Sequence, residues 1–227
     1  MTKTLATTPS HRTEKAIKTV DWTPRVTAIL TCMIHALAKH WLLMANTVIG
    51  LSAAVPFLAP VLMASGYTSL AQLIYTLCVP FCHQLPERSF FLFGPRFTYT
   101  LDELERLLGP DVPLRYIGSP VLGYKTAVCQ RDVAIYLAVL LAGLAFIPLR
   151  RRLRPLAIKA FALLCIPITV DGLGQLLAVW ESTWWSRVVS GALFGIACVW
   201  LAYPYIEAGM SDVLGITEQE LGQRTNT

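Results

Sequence analysis

Residues 128–154, VCQRDVAIYLAVLLAGLAFIPLRRRLR, contain the pattern that decides the fold. An apolar run occupies residues 128–149, with polar side chains only near its start, and a block of arginines follows it (Arg150, Arg151, Arg152 and Arg154). About 20 apolar residues are enough for a helix to cross the hydrocarbon core of a bilayer. Short basic segments beside a span stay on the cytoplasmic side. We therefore predict a transmembrane helix over 128–149 that ends at the cytoplasmic face.

The composition of the whole chain agrees with a membrane protein. Of its 227 residues, 55% are hydrophobic and 15% are charged, whereas soluble domains carry about 25% charged residues. The net charge of +5 does not indicate a nucleic-acid partner, because the basic residues concentrate in the arginine block and the N-terminal region. We predict an all-α polytopic membrane protein whose partner is the lipid bilayer, with no nucleic-acid partner.

Three more apolar tracts predict three further spans, at about 41–65, 155–179 and 184–205. With the arginine block inside, four spans place both termini in the cytoplasm. The predicted organisation is a flexible tail at 1–23, a single helical membrane domain at 24–207 and a second cytoplasmic tail at 208–227. The expected location is the cell membrane, which is the inner membrane of a bacterium.

Two shorter apolar stretches and one polar region complete the prediction. Residues 26–38 predict an amphipathic helix in the membrane plane before the first span; the alternative is a long, tilted first span that begins near residue 26. Residues 69–79 are too short to cross the bilayer and predict an interfacial or re-entrant helix. The polar region at 81–126 is the predicted outer loop, and its Thr100-Leu-Asp-Glu103 motif predicts a capped helix to residue 108.

Polar residues near the outer ends of the spans are the candidates for function. Ionisable groups inside a membrane cost free energy and are usually paired or functional. Asp171 and Gln175 are four residues apart, which places them on one face of the third span. The predicted topology brings the outer loop, the start of the second span and the segment before the fourth to the same level. The predicted polar cluster contains Gln84, Arg88, Ser89, Arg131, Asp171, Gln175, Glu181 and Arg187.

Thiol, imidazole and carboxylate groups at that level favour a metal site. Zinc binds sulfur, nitrogen and oxygen ligands tetrahedrally, and the candidate ligands are Cys82, His83, Cys129 and Asp132, with Cys78 and Asp171 as substitutes. The arginines could then hold an anionic headgroup or carboxylate, as guanidinium groups do. Two other interpretations remain open: a disulfide between Cys82 and Cys129, or free thiols in a structural network.

These observations support function hypotheses from different classes. The first is a membrane enzyme or cofactor-binding protein with a zinc site at the outer leaflet. The second is a non-catalytic subunit or assembly factor of a larger membrane complex, in which the cluster is a clamp or a disulfide. In that case Gly191 and Gly195 would dock membrane-protein partners or a second copy of the chain. A transporter is the third hypothesis, and the sequence names no substrate.

Several ordered motifs carry a resemblance to a known family. They are CHQLPERSF at 82–90, GYK at 123–125, CQRDVAIY at 129–136 and DGLGQ at 171–175. The chain resembles an uncharacterised family of bacterial and archaeal integral membrane proteins marked by CHQ…RSF, CxR(C/D) and DGxxQ motifs. The resemblance implies a small helical membrane protein and implies no activity. Many relatives resemble Cys-x-Arg-Cys where this chain has Asp132, which leaves carboxylate ligation open and weakens a thiol-rich zinc site.

Overall fold

The computed structural model describes residues 23–177 and 179–225, and these residues are mostly helical. The predicted N-terminal tail at 1–23 lies outside the described residues except for its last position. The described chain forms six α-helices: α1 Thr23–Ala64, α2 Thr68–Cys78, α3 Leu101–Leu108, α4 Gln130–Leu149, α5 Ile158–Leu176 and α6 Trp184–Thr225. Three short strands lie between them: β1 Phe91–Leu92, β2 Gly118–Ser119 and β3 Gly123–Lys125.

Four of the helices, α1, α4, α5 and α6, are long and apolar enough to cross a membrane. This confirms the predicted fold class, a helical membrane protein with four spans. The apolar helix α2 has only 11 residues, which is too short to span, as predicted. Successive spans connect opposite ends of the bundle. We call the end that carries the arginine block at 150–154 the arginine end, and the end that carries the three strands the sheet end.

The helices α1 and α6 extend well beyond the other two spans. Each has 42 residues and is about 63 Å long, roughly twice the thickness of a bilayer core. Their extensions pair antiparallel at the arginine end, where Thr31 Oγ1 donates to a Glu220 carboxylate oxygen at 3.2 Å. The prediction of a separate in-plane helix at 26–38 is therefore wrong, because that segment is the unbroken first part of α1. Residues 208–225, predicted as a tail, continue α6.

An aromatic cluster marks the level at which this extension begins. The rings of Trp41, Phe146 and Tyr203 contact one another edge to face, with centroids 5.3–6.4 Å apart. The indole Nε1 of Trp41 donates to Glu207 at 2.9 Å, and Arg150 Nε lies 3.8 Å from the same carboxylate. Amphipathic aromatic rings with polar partners are typical of a membrane interface; the start of the first span near residue 41 stays a prediction.

Two glycines allow α4 and α6 to pack closely. A Cβ atom on Gly191 would lie 2.7 Å from the Arg131 carbonyl oxygen, and one on Gly195 would lie 2.9 Å from the Ile135 carbonyl oxygen. Small residues four apart permit such an approach of two helix backbones. The pair that we considered for docking a partner is therefore used inside the chain.

A small sheet and the short helix α3 cover the sheet end. The strands are antiparallel in the order β1-β3-β2, with Phe91 opposite Lys125. The sequence did not predict them, because strands of two or three residues are too short for an alternating pattern. The predicted capped helix α3 is confirmed: Thr100 Oγ1 accepts from the Glu103 amide at 3.3 Å, and Glu103 accepts from the Thr100 amide at 2.9 Å.

Candidate functional site

Two cysteines meet where the loop after α2 contacts the first turn of α4. The chain turns at the end of α2, with the Cys82 amide bonded to the Cys78 carbonyl oxygen at 3.1 Å. Cys129 is the residue before α4, in an extended conformation. Its amide donates to Cys82 Sγ at 3.2 Å. Free N–H groups at a helix start favour negative charge, so this contact favours the thiolate form of Cys82.

A carboxylate joins the two thiols. Cys129 Sγ donates to Asp132 Oδ2 at 3.1 Å, and the ligand atoms of Cys82, Cys129 and Asp132 all lie within 4.8 Å of one another. We call these three residues the thiol–carboxylate cluster. Both cysteines are free, so the structure does not contain the alternative disulfide. His83, predicted as a fourth ligand, is exposed and is not in this group.

The environment of Cys82 affects its acidity. A hydrogen bond from the Cys129 side chain lowers the pKa of the Cys82 thiol, and a further bond from the Gln84 amide acts in the same direction, whereas burial opposes both. The net direction is downward from the ordinary thiol value. A lowered pKa favours the thiolate, which is the form that binds metals.

A buried lysine supports the loop that carries Cys82. Gln84 has a positive φ of 57°, and its side-chain amide donates to the Tyr75 carbonyl oxygen at 2.6 Å. Its own carbonyl oxygen accepts from Lys125 Nζ. Lys125 is fully buried, and burial lowers its pKa to about 8. Lys125 was not predicted as a site residue, and its place in the GYK motif at 123–125 was the signal that could have singled it out.

Asp171 connects three spans through hydrogen bonds. It forms an ion pair with Arg131 of α4. Its other oxygen accepts from Ser182 Oγ at 2.5 Å, just before α6, and from Ser186 Oγ at 2.7 Å, in α6. The carboxylate is buried, but the ion pair neutralises its charge and the two hydroxyl groups satisfy it with hydrogen bonds. The structure thus brings Arg131 and Asp171, which are 40 residues apart, into one network.

A second buried network lies beside the first. Arg187 Nη1 donates to Gln130 Oε1 at 3.1 Å and to the Glu87 carbonyl oxygen at 3.3 Å. Gln130 in turn donates to the Ser89 carbonyl oxygen at 3.0 Å. Gln130 is fully buried and was missed as a site residue. Its polar side chain inside the apolar 128–149 run was the signal that could have found it.

Most of these groups surround one cavity of about 200 Å³ at the sheet end. Its polar lining consists of Cys82, His83, Gln84, Arg88, Cys129, Arg131, Asp132, Gln175 and Arg187. Three predicted members are not in the lining, namely Ser89, Asp171 and Glu181; Ser89 is buried and Glu181 is exposed. Asp171 does not line the cavity itself but forms an ion pair with Arg131, which does. The cavity therefore combines the thiol–carboxylate cluster with three guanidinium groups.

The fold and the cavity define a class, a small helical membrane protein with a buried polar site at one end of its bundle. Residues 120–201 match a family described as "Predicted membrane protein (DUF2085)". An "Uncharacterized protein MJ1492" of Methanocaldococcus jannaschii is 30% identical over 156 residues, which are 65% of this chain and 81% of that protein. No solved structure matches the chain significantly. The chain belongs to this family of predicted membrane proteins, which confirms the expected membrane family; the individual motifs stay predictions.

Proposed function

We propose that the thiol–carboxylate cluster binds zinc and that the protein is a membrane metalloenzyme whose substrate enters the adjacent cavity. One observation carries the proposal: the ligand atoms of Cys82, Cys129 and Asp132 lie within 4.8 Å of one another. With bonds of about 2.0–2.3 Å, the ligand atoms of a tetrahedral zinc site lie about 3.3–3.8 Å apart. Small side-chain movements therefore suffice for all three residues to bind one ion.

The surrounding groups support a reactive site over a closed structural one. Three protein ligands are typical of catalytic zinc, which keeps a position for water or substrate. Bound zinc would supply a Lewis acid and an activated water. The chain itself would position the substrate: Arg187 and Arg131 attract its negative charge, and Asp171 holds Arg131 in place. Zinc ligation needs deprotonated thiols, which the hydrogen bonds to Cys82 Sγ favour.

Elemental analysis of the full-length protein, purified in detergent, tests the zinc site. We expect about one zinc ion per chain, and near-background zinc in Cys82→Ser and Asp132→Ala, because each removes one of three ligands. Cys198→Ser is the matched control, since Cys198 lies in α6 outside the cluster. His83→Ala should also retain zinc. A folded wild-type protein without metal would contradict the proposal.

The alternative role as a clamp in a non-catalytic subunit of a larger complex has one observation in its favour. The Asp171 network bonds α4, α5 and the start of α6 to one carboxylate, as a purely structural device would. Metal-free, folded protein that co-purifies with other chains would favour this role. Stoichiometric zinc in an isolated chain would favour the enzyme.

We also propose that the sheet end faces outward and that both termini are cytoplasmic, in the inner membrane of a bacterium. The arginine block next to two spans supports this orientation. A membrane-impermeant maleimide should label Glu105→Cys, exposed on α3, in intact cells. It should label Glu218→Cys, exposed on the extension of α6, only after permeabilisation. The wild type, with its own six cysteines, gives the background, and the reverse labelling would contradict the orientation.

A further inference from the structure

The cavity beside the thiol–carboxylate cluster is lined by three arginines and by the Asp132 carboxylate of the cluster, and one of the arginines, Arg187, has no ion-pair partner in the described part of the chain. Arg88 has Glu87 at 3.7 Å, and Arg131 has Asp171. Within residues 23–177 and 179–225, no carboxylate lies within 4.0 Å of the Arg187 guanidinium, and its acceptors are neutral oxygens. Arg187 is only 6% exposed. A buried cation without a counter-ion is costly, so an anion bound in the cavity would stabilise it.

Unpartnered hydrogen-bond donors surround the same space. They are the Nε atoms of Arg88, Arg131 and Arg187 and the Nε2 atom of Gln175, all buried and without an acceptor. The carboxylate near Arg88 lies beyond hydrogen-bond distance of its Nε atom. Buried donors in folded proteins nearly always have an acceptor. The four donors belong to residues that line one cavity, and the guanidinium groups there suit a ligand with several acceptor oxygens, phosphate in particular.

The size of the cavity limits the headgroup. Its volume of about 200 Å³ equals about six or seven water molecules at roughly 30 Å³ each. A phosphate group with a few waters fits this volume. The chemistry and the volume together select a small, phosphate-sized anion.

An apolar groove starts next to the arginines. A second cavity of about 600 Å³ lies between α4 and α6 and has an almost wholly apolar lining. It begins at Ala134, one turn after Arg131, and at Val188, the neighbour of Arg187. It continues along α4 to Leu149, a distance of about 22 Å. A cationic cavity that adjoins an apolar groove of this length suits one molecule with an anionic head and a hydrocarbon chain.

We infer that the protein binds an anionic lipid with a bare phosphate headgroup, of the phosphatidic acid type. The phosphate occupies the arginine-lined cavity, and one acyl chain occupies the groove between α4 and α6. This inference names the substrate class of the proposed enzyme and rests on the proposed function only for the lipid's role as substrate. Binding itself depends on the arginines and the groove and does not require the metal.

Native mass spectrometry of the full-length protein in neutral detergent tests the inference. The probes are phosphatidic acid, phosphatidylcholine with the same acyl chains, and inorganic phosphate. We expect phosphatidic acid to bind at least about tenfold more tightly than phosphatidylcholine, the effect of one or more charge-assisted hydrogen bonds. Inorganic phosphate should bind more weakly than phosphatidic acid, because it leaves the groove empty.

Three variants separate the headgroup cavity from the groove. Gln175→Glu adds a carboxylate among the guanidinium groups with little change of shape, so it should keep or raise the unfolding temperature while weakening phosphatidic acid binding about tenfold or more. Arg187→Gln should weaken binding of the lipid and of phosphate. Ala192→Phe fills the groove and should weaken only the lipid. Arg151→Gln, exposed at the arginine end, is the control and should change nothing.

Defined results would overturn the inference. They are equal binding of the two lipids, unchanged lipid binding in folded Gln175→Glu, or a loss in Arg151→Gln as large as in Arg187→Gln. Inorganic phosphate that binds as tightly as phosphatidic acid would overturn the lipid assignment and identify a free phosphate site. Zinc measured in the same preparations keeps the two proposals apart: lipid binding without zinc refutes only the metalloenzyme, and zinc without lipid preference refutes only this inference.

Discussion

Replacing Asp171 with asparagine should destabilise the folded protein by about 3–5 kcal/mol, the cost of removing one partner of a buried ion pair. The side chains of Arg131 and Asp171 are only 19% and 8% exposed. Without the carboxylate, the Arg131 charge stays buried with no counter-ion. The hydroxyl groups of Ser182 and Ser186 also lose a charged acceptor. The lost folding free energy therefore comes mainly from the arginine and the two serine hydroxyl groups that remain without their charged acceptor.

Reversible unfolding of the purified protein in mixed micelles measures this effect. Adding Arg131→Met to Asp171→Asn should recover much of the loss, because the unpaired cation is then absent. Arg150→Gln is the matched control: it removes an ion pair whose arginine side chain is 41% exposed and should cost about 0–1 kcal/mol. If Asp171→Asn costs no more than Arg150→Gln, the carboxylate does not hold the spans together.

Lys125 should make stability rise with pH in the alkaline range. Its pKa is lowered from 10.5 to about 8 in the folded protein, chiefly by burial. Between these values the unfolded chain keeps a proton that the folded chain has released, so unfolding becomes less favourable as the pH rises. The full difference of about 2.5 pH units corresponds to a gain of about 3 kcal/mol between pH 8 and pH 10.5. Below pH 8 this contribution is constant.

The comparison of wild type with Lys125→Met isolates that contribution. The nearby charged groups Cys82, Glu87 and Arg115 also act on Lys125, so the measured quantity is the difference between the two proteins at each pH. We expect the difference in unfolding free energy to shift by about 3 kcal/mol over this range. Lys159→Met removes an exposed lysine from α5 and should give a flat difference. A flat difference for Lys125→Met would mean that the ammonium is not buried.

Hydropathy predicted the spans because a bilayer imposes one strong, local requirement on each of them. A run such as 128–149 must be apolar and about 20 residues long, whatever it contacts. The extensions of α1 and α6 in the two predicted flanking regions have no such signal. They are helical because each covers the other, through contacts such as Thr31 with Glu220 that join residues 189 positions apart.

The candidate site was predictable in its residue types and not in its connections. The cost of a carboxylate near hydrocarbon singled out Asp171, and the proximity of Cys82 to Cys129 followed from the topology. The roles of Lys125 and Gln130 could not be predicted from the topology. Each side chain donates a hydrogen bond to a main-chain oxygen 41 residues away, in a loop of irregular shape. No local pattern encodes such a contact. His83 follows Cys82 in sequence, but it is exposed and its ring is not in the thiol–carboxylate cluster.

The pairing of α1 with α6 constrains how the protein is made. The start of the first helix leaves the ribosome about 160 residues before the start of its partner, with four other α-helices and the three strands between them. Contacts of such large sequence separation form late and slow folding. The first part of α1 therefore cannot form its contacts with α6, such as that of Thr31 with Glu220, until α6 has been synthesised. A chaperone or the insertion machinery has its greatest opportunity to act during that interval.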